Sequence, residues 1–151
     1  MYTLSYAIEV NPEGASPRLT AEQVWKGLEM KAENALPFVP GMQKCEVVER
    51  KDNTILRDVT FAGDDFREFI TLYAPVQVQF ERVGSGGFIQ NTISESKKGL
   101  LLTFTFGLPF PGTEPGSPEE KAKGESMRHA YVGAVGATLK TVREMVGKGE
   151  L

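Results

Sequence analysis

Along the chain the spacing of hydrophobic residues switches from two to about four, back to two, and finally to four again. Tyr2, Leu4, Tyr6 and Ile8 alternate with smaller or polar residues, which predicts a strand over 2–10 that Asn11-Pro12-Glu13-Gly14 breaks. Thr20-Ala21-Glu22-Gln23 has the form of a capping box, and Val24, Leu28, Ala32 and Ala35, with Trp25 and Leu36 beside them, give the helix it opens an apolar stripe. Pro37 and Pro40-Gly41 end this helical segment, with room for a short turn over Ala35–Val39. From Met42 the period is two. Strands are expected over Gln43–Arg50, Ile55–Phe61, Arg67–Tyr73, Val76–Glu81, Phe88–Glu95 and Leu100–Phe106. Lys51-Asp52-Asn53, Ala62-Gly63-Asp64-Asp65, Pro75, Gly84–Gly87 and Lys97-Lys98-Gly99 separate them. Ser117-Pro118-Glu119-Glu120 then starts a second helix with an N-cap, a proline at its first position and acids in its first turn. Met127, Tyr131, Ala134, Thr138, Val142 and Met145 mark its apolar stripe over roughly 25 to 30 residues, well above the mean helix length.

This order predicts an α+β domain: a seven-stranded antiparallel meander, a short helical segment after the first strand, and a long C-terminal helix. The apolar face of such a sheet must be covered. The terminal helix is the only sizeable element available, and a helix about 10 Å wide is too narrow to cover seven strands. A gap beneath it is expected. With 151 residues and no repeat or low-complexity segment, the chain is read as one domain over residues 1–151.

Composition removes several function classes. A net charge of −3 gives no electrostatic case for nucleic acid. No apolar run approaches the ~20 residues of a membrane span, and the first residues lack a signal peptide's pattern, so a cytoplasmic protein is expected. One cysteine (Cys45) and one histidine (His129) cannot supply a disulfide or a tetrahedral zinc site. There is no Gly-x-Ser-x-Gly elbow, and Gly84-Ser85-Gly86-Gly87 has neither the Lys-Ser/Thr nor the spacing of a phosphate loop. No metal or cofactor is expected.

Leu19-Thr20-Ala21-Glu22-Gln23-Val24-Trp25-Lys26-Gly27-Leu28, Phe38-Val39-Pro40-Gly41, Asn91-Thr92-Ile93-Ser94-Glu95 and the stretch around Arg128–Tyr131 carry a resemblance. With this element order, the chain resembles the START/Bet v 1-like (SRPBCC) superfamily, and within it the AtaL-like branch found in bacteria and in fungal secondary-metabolite clusters. The resemblance implies the helix-grip fold, a curved sheet around the last helix, with a ligand cavity in the gap. It implies a small, largely apolar ligand, a polyketide- or peptide-derived intermediate. Whether the pocket only binds or also cyclises, dehydrates or rearranges its ligand without a cofactor stays open, as does a homodimer. A module for a protein partner ranks last, because no exposed apolar stripe is evident outside the helices.

The candidate site residues follow from facing. Arg57 lies in the line Ile55, Arg57, Val59, Phe61, so alternation places it on an apolar face, where a guanidinium needs a partner. A ligand anion, a salt bridge with Glu68 or Asp58, or an escape to water would each serve. Tyr131 on the last helix is either a cavity hydroxyl able to act as general acid or a satisfied core residue, and Tyr73 has the same ambiguity. Arg57 and Tyr131 are the candidates for catalysis. Trp25, Val59, Phe61, Phe80, Phe104 and Met127 are candidate lining residues, each first of all a core residue by type. Asn91 points inward if Ile89 and Ile93 do. His129 is expected at the rim, off the apolar stripe, and Cys45 as a small buried hydrophobe.

Overall fold

A computed structural model describes all 151 residues. Strands β1 (Tyr2–Glu9), β2 (Met42–Lys51), β3 (Thr54–Phe61), β4 (Asp64–Tyr73), β5 (Gln77–Arg82), β6 (Phe88–Ser96) and β7 (Gly99–Leu108) form one curved antiparallel sheet in the order β1-β7-β6-β5-β4-β3-β2. Helix α1 (Ala21–Glu33) follows β1, and the 30-residue α2 (Pro118–Gly147) ends the chain. This is the helix-grip arrangement. The sheet does not close, and β2 pairs with β3 through two shifts of register, at Met42/Lys44 and Val47/Glu49.

The helix starts form as their sequences dictate. The Thr20 hydroxyl accepts from Gln23 N at 3.1 Å while Thr20 N donates to the Gln23 side chain at 2.9 Å, and the Ser117 hydroxyl accepts from Glu120 N. Helix α1 stops at Glu33, earlier than the stripe through Ala35 and Leu36 suggested. The Asn34 side-chain oxygen accepts from Leu36 N, and the chain makes its separate short turn through bonds from Phe38 N and Val39 N to Ala35 O. The expected four-residue turn before β4 is shorter too. Ala62 and Gly63, both at positive φ, make a two-residue hairpin, and Asp64 and Asp65 join the ladder opposite Phe61 and Thr60.

Ile55, Ile70, Val78, Phe80, Ile93, Leu102, Phe104, Phe106 and Leu108 form the sheet's share of the core. The helices contribute Val24, Leu28, Ala32, Val135, Leu139 and Val142. Helix α2 packs on β1, β7 and α1, and the crossing with α1 is close: a Cβ at Gly27 would lie 2.4 Å from Val142. Near the start of α2 a Cβ at Gly124 would likewise run into the Tyr2 ring, so the helix is held closely towards both ends. Its middle, at Gly133 and Gly136, has nothing within 4 Å of where a Cβ would be.

Candidate functional site

Under that loosely covered stretch lies a cavity of about 340 Å³, lined by 20 residues of which 13 are hydrophobic. The walls come from β2 to β7, from Val39 and Pro40 before β2, from Lys31 near the end of α1, and from α2 at His129–Ala134. Of the sequence candidates, Arg57, Val59, Phe61, Phe80, Phe104 and Tyr131 line it. His129 lines it as an exposed rim residue.

Four candidates sit elsewhere. Tyr73 ends β4 on the opposite parity from Glu68 and Ile70 and is 52% exposed, so it faces solvent on the outer side of the sheet. Trp25 is buried in the core against other side chains, on a face of α1 that does not meet the cavity. Met127 is half-buried one turn, about 6 Å, before Tyr131 and lies beyond the lined length of α2. Asn91 does point inward, paired with Phe104 and Val78, but a lysine covers it and it does not line the cavity. Cys45 is half-buried, its Sγ accepting from Ala35 N at 3.4 Å.

Arg57 takes the structural option. Its Nε donates to Glu68 Oε1 at 2.9 Å, its Nη2 reaches the same oxygen at 2.9 Å, and its Nη1 donates to the carbonyls of Lys31 and Ala32 at 2.8 and 3.0 Å. Those carbonyls belong to the last turn of α1, which no intrahelical donor satisfies, and a cation there complements the helix dipole. Cross-strand pairing sets Arg57 directly opposite Glu68, and both are at least 95% buried. The guanidinium therefore ties α1 to β3 and β4 while presenting one flank to the cavity and the other towards the Phe80 ring, 5.3 Å away.

Two cavity cations escaped the sequence reading. Lys31 is 6% exposed; its Nζ donates to Asn91 Oδ1 at 2.8 Å and lies 4.8 and 4.9 Å from the Phe80 and Phe104 ring centres. Burial, reinforced by the Arg57 charge and opposed by Glu68, lowers its pKa from 10.5 to about 7. Arg82 lies opposite Glu68 on the other side, its guanidinium 4.0 Å from the Phe66 ring centre, and its Nε is buried without a hydrogen-bond partner. Tyr131 stacks on Phe106 with centroids 4.8 Å apart, and burial raises the pKa of its hydroxyl, so it stays protonated at neutral pH. The site therefore joins an apolar chamber to a wall of charged groups, with an amine able to exchange protons near neutrality.

A family model for "Acetylaranotin biosynthesis cluster protein L" matches residues 4–149 of this chain. The chain belongs to the AtaL family. It is 24% identical to the acetylaranotin biosynthesis cluster protein L of Aspergillus terreus, over 99% of this chain and 93% of that protein. Among solved structures it is similar in fold to the Zhui aromatase/cyclase of a Streptomyces species, at TM-score 0.67 and 16% identity, covering 96% of this chain and 95% of the other. It is also similar to the di-domain aromatase/cyclase StfQ from the steffimycin biosynthetic pathway, at TM-score 0.68 and 11% identity, covering 97% of this chain and 50% of that one. No helix is long and apolar enough to cross a membrane.

Proposed function

We propose that this AtaL-family protein binds a small, largely apolar organic molecule, a polyketide- or peptide-derived intermediate of secondary metabolism, in the cavity between sheet and α2. The observation that carries the reading is the cavity itself. Its volume of about 340 Å³ and its mostly hydrophobic lining fall in the range of small-molecule sites, with a few polar groups converging on one wall. The biosynthetic cluster named for the Aspergillus relative, and the aromatase/cyclase titles borne by proteins of the same fold, support secondary metabolism as the setting. The test is a fluorescence titration with the neutral apolar dye N-phenyl-1-naphthylamine. Saturable binding at one site per chain is expected, weakened in Gly133→Phe, which adds a ring on the lined stretch of α2 where no neighbour lies within 4 Å. Absence of saturable binding overturns the reading.

Lys31 favours a second reading, a cofactor-free cyclase, dehydratase or isomerase acting on the same class of molecule. A general base works best with a pKa near the operating pH, and this amine lines the cavity at about 7. Arg57 is a positioning residue in that scheme, since its donors are held by Glu68 and the α1 carbonyls. Tyr131 keeps its proton and is the acid available to a carbonyl oxygen. Protein-catalysed deuterium exchange next to the carbonyl of a bound aryl ketone, rising with pH through about 7 and lost in Lys31→Met, is the expected signature; exchange no faster than in buffer refutes it.

A further inference from the structure

The charges on the cavity wall do not balance. Lys31 faces it from α1, Arg57 from β3, Glu68 from β4 and Arg82 from β5, while α2 adds the rim His129 and the Tyr131 hydroxyl. Glu68 is the sole carboxylate among the lining residues. It is engaged by Arg57, whose remaining contacts are to helix carbonyls, so these two cancel each other within the framework. That leaves Lys31 and Arg82 with no carboxylate of their own: Glu68, the one whose charge acts on either, is already bonded to Arg57. The only hydrogen-bond acceptor of the Lys31 ammonium is a neutral amide oxygen, and its other near neighbours are two phenyl faces. Arg82 rests on Phe66, with a buried Nε that donates to nothing. Lys31 is held away from water and Arg82, half-buried, partly so; a buried cation without a partner is costly, and a counter-ion offsets that cost.

We propose that the ligand carries an oxyanion, a carboxylate or an enolate, on an otherwise apolar body, and that this group seats on the wall formed by Lys31 and Arg82. The inference rests on the cavity being a ligand site and deepens that reading by naming the ligand's head group. Charge-assisted hydrogen bonds from an ammonium and a guanidinium would fix the molecule's polar end, while the aromatic lining holds the rest. Because the Lys31 amine loses its proton as pH rises through about 7, the preference for an anion is greater below that value and falls above it.

The test compares two matched probe pairs by calorimetry: 2-naphthoate against 2-naphthamide, and 2-hydroxy-1,4-naphthoquinone, an enolate at neutral pH, against its neutral methyl ether. At pH 6 at least one anion is expected to bind about tenfold more tightly than its neutral partner. The pair with the larger preference identifies carboxylate or enolate. The preference should shrink by pH 8.5, and shrink in both Lys31→Met and Arg82→Gln. Equal affinities within both pairs, or a preference that both variants retain in full, overturn the inference and leave the cavity reading standing. Failure of all four probes to bind overturns both.

Discussion

Replacing Lys31 with methionine removes a buried amine while keeping an unbranched side chain in its place. In the folded protein that amine has a pKa of about 7, against 10.5 for an ordinary lysine such as the unfolded chain presents. Between those two values the unfolded state holds a proton that the folded state lacks. The stability of the wild-type protein therefore rises with pH across that window, and below about 7 the penalty of charging the buried amine is fully present. From pH 6 to pH 9 the relief amounts to about two pH units of linkage, or roughly 2–3 kcal/mol. Methionine has no such dependence, and every other titrating group is common to both proteins, so the difference between them isolates Lys31. Methionine also leaves Asn91 Oδ1 without its donor, a cost of about 1–3 kcal/mol that does not vary with pH. Urea unfolding followed by far-ultraviolet circular dichroism, at pH 6, 7, 8 and 9, measures both proteins. The wild type should gain on the variant by roughly 2–3 kcal/mol across the series, most of it above pH 7. A constant difference, or one that moves the opposite way, refutes the argument that Lys31 is desolvated in the folded state.

Arg57→Ala should be far more damaging, because it strands the Glu68 carboxylate and two helix carbonyls; a loss of about 3–5 kcal/mol is expected in the same unfolding assay. Arg57→Met combined with Glu68→Met removes both charges and should recover a large part of that loss, and no recovery would locate the role of Arg57 in the carbonyl contacts instead. Gly136→Ala should raise stability by about 0.5–1 kcal/mol, since a helix interior prefers alanine and the Cβ meets nothing within 4 Å. Gly27→Ala should lower it by about 1–3 kcal/mol, since its Cβ would fall 2.4 Å from Val142, and the opposite signs of these two changes are read directly as shifts in Tm.

Alternation told most of the architecture because strands β3 to β7 each turn one face to the core and the other outward, while β1 and β2 are half-buried on one side. The Ile55–Phe61 line showed that an arginine had been placed among apolar residues, and the structure puts Arg57 there. Glu68 was one of the two salt-bridge partners the sequence allowed; the choice of Glu68 over Asp58 depends on which face each strand presents and on β3–β4 register, and the carbonyl contacts depend on the end of α1 arriving above Arg57. The same logic applied one strand further would have found Arg82. Val78, Phe80 and Arg82 share a face, and ending the strand at Glu81 hid this. Lys31 carried a signal as well, lying three residues from Leu28 and seven from Val24 on the apolar stripe. A lone lysine in a helix reads as solvated by default, and only the sheet packed against that stripe shows otherwise. Tyr73 failed for a different reason: aromatic character beside a proline says nothing about parity, and parity turns it outward.

Because the sheet stays open, β2 offers a row of backbone donors and acceptors along one flank, the kind of surface on which a neighbouring chain can polymerise. That flank is poorly suited to such growth. Its two register shifts interrupt the regular spacing a flat intruder would need, and Lys44, Glu46, Glu49, Arg50 and Lys51 stand exposed along it. The irregularities of β2 thus act as a guard against fibre-like stacking, in a fold that has left its margin unsealed.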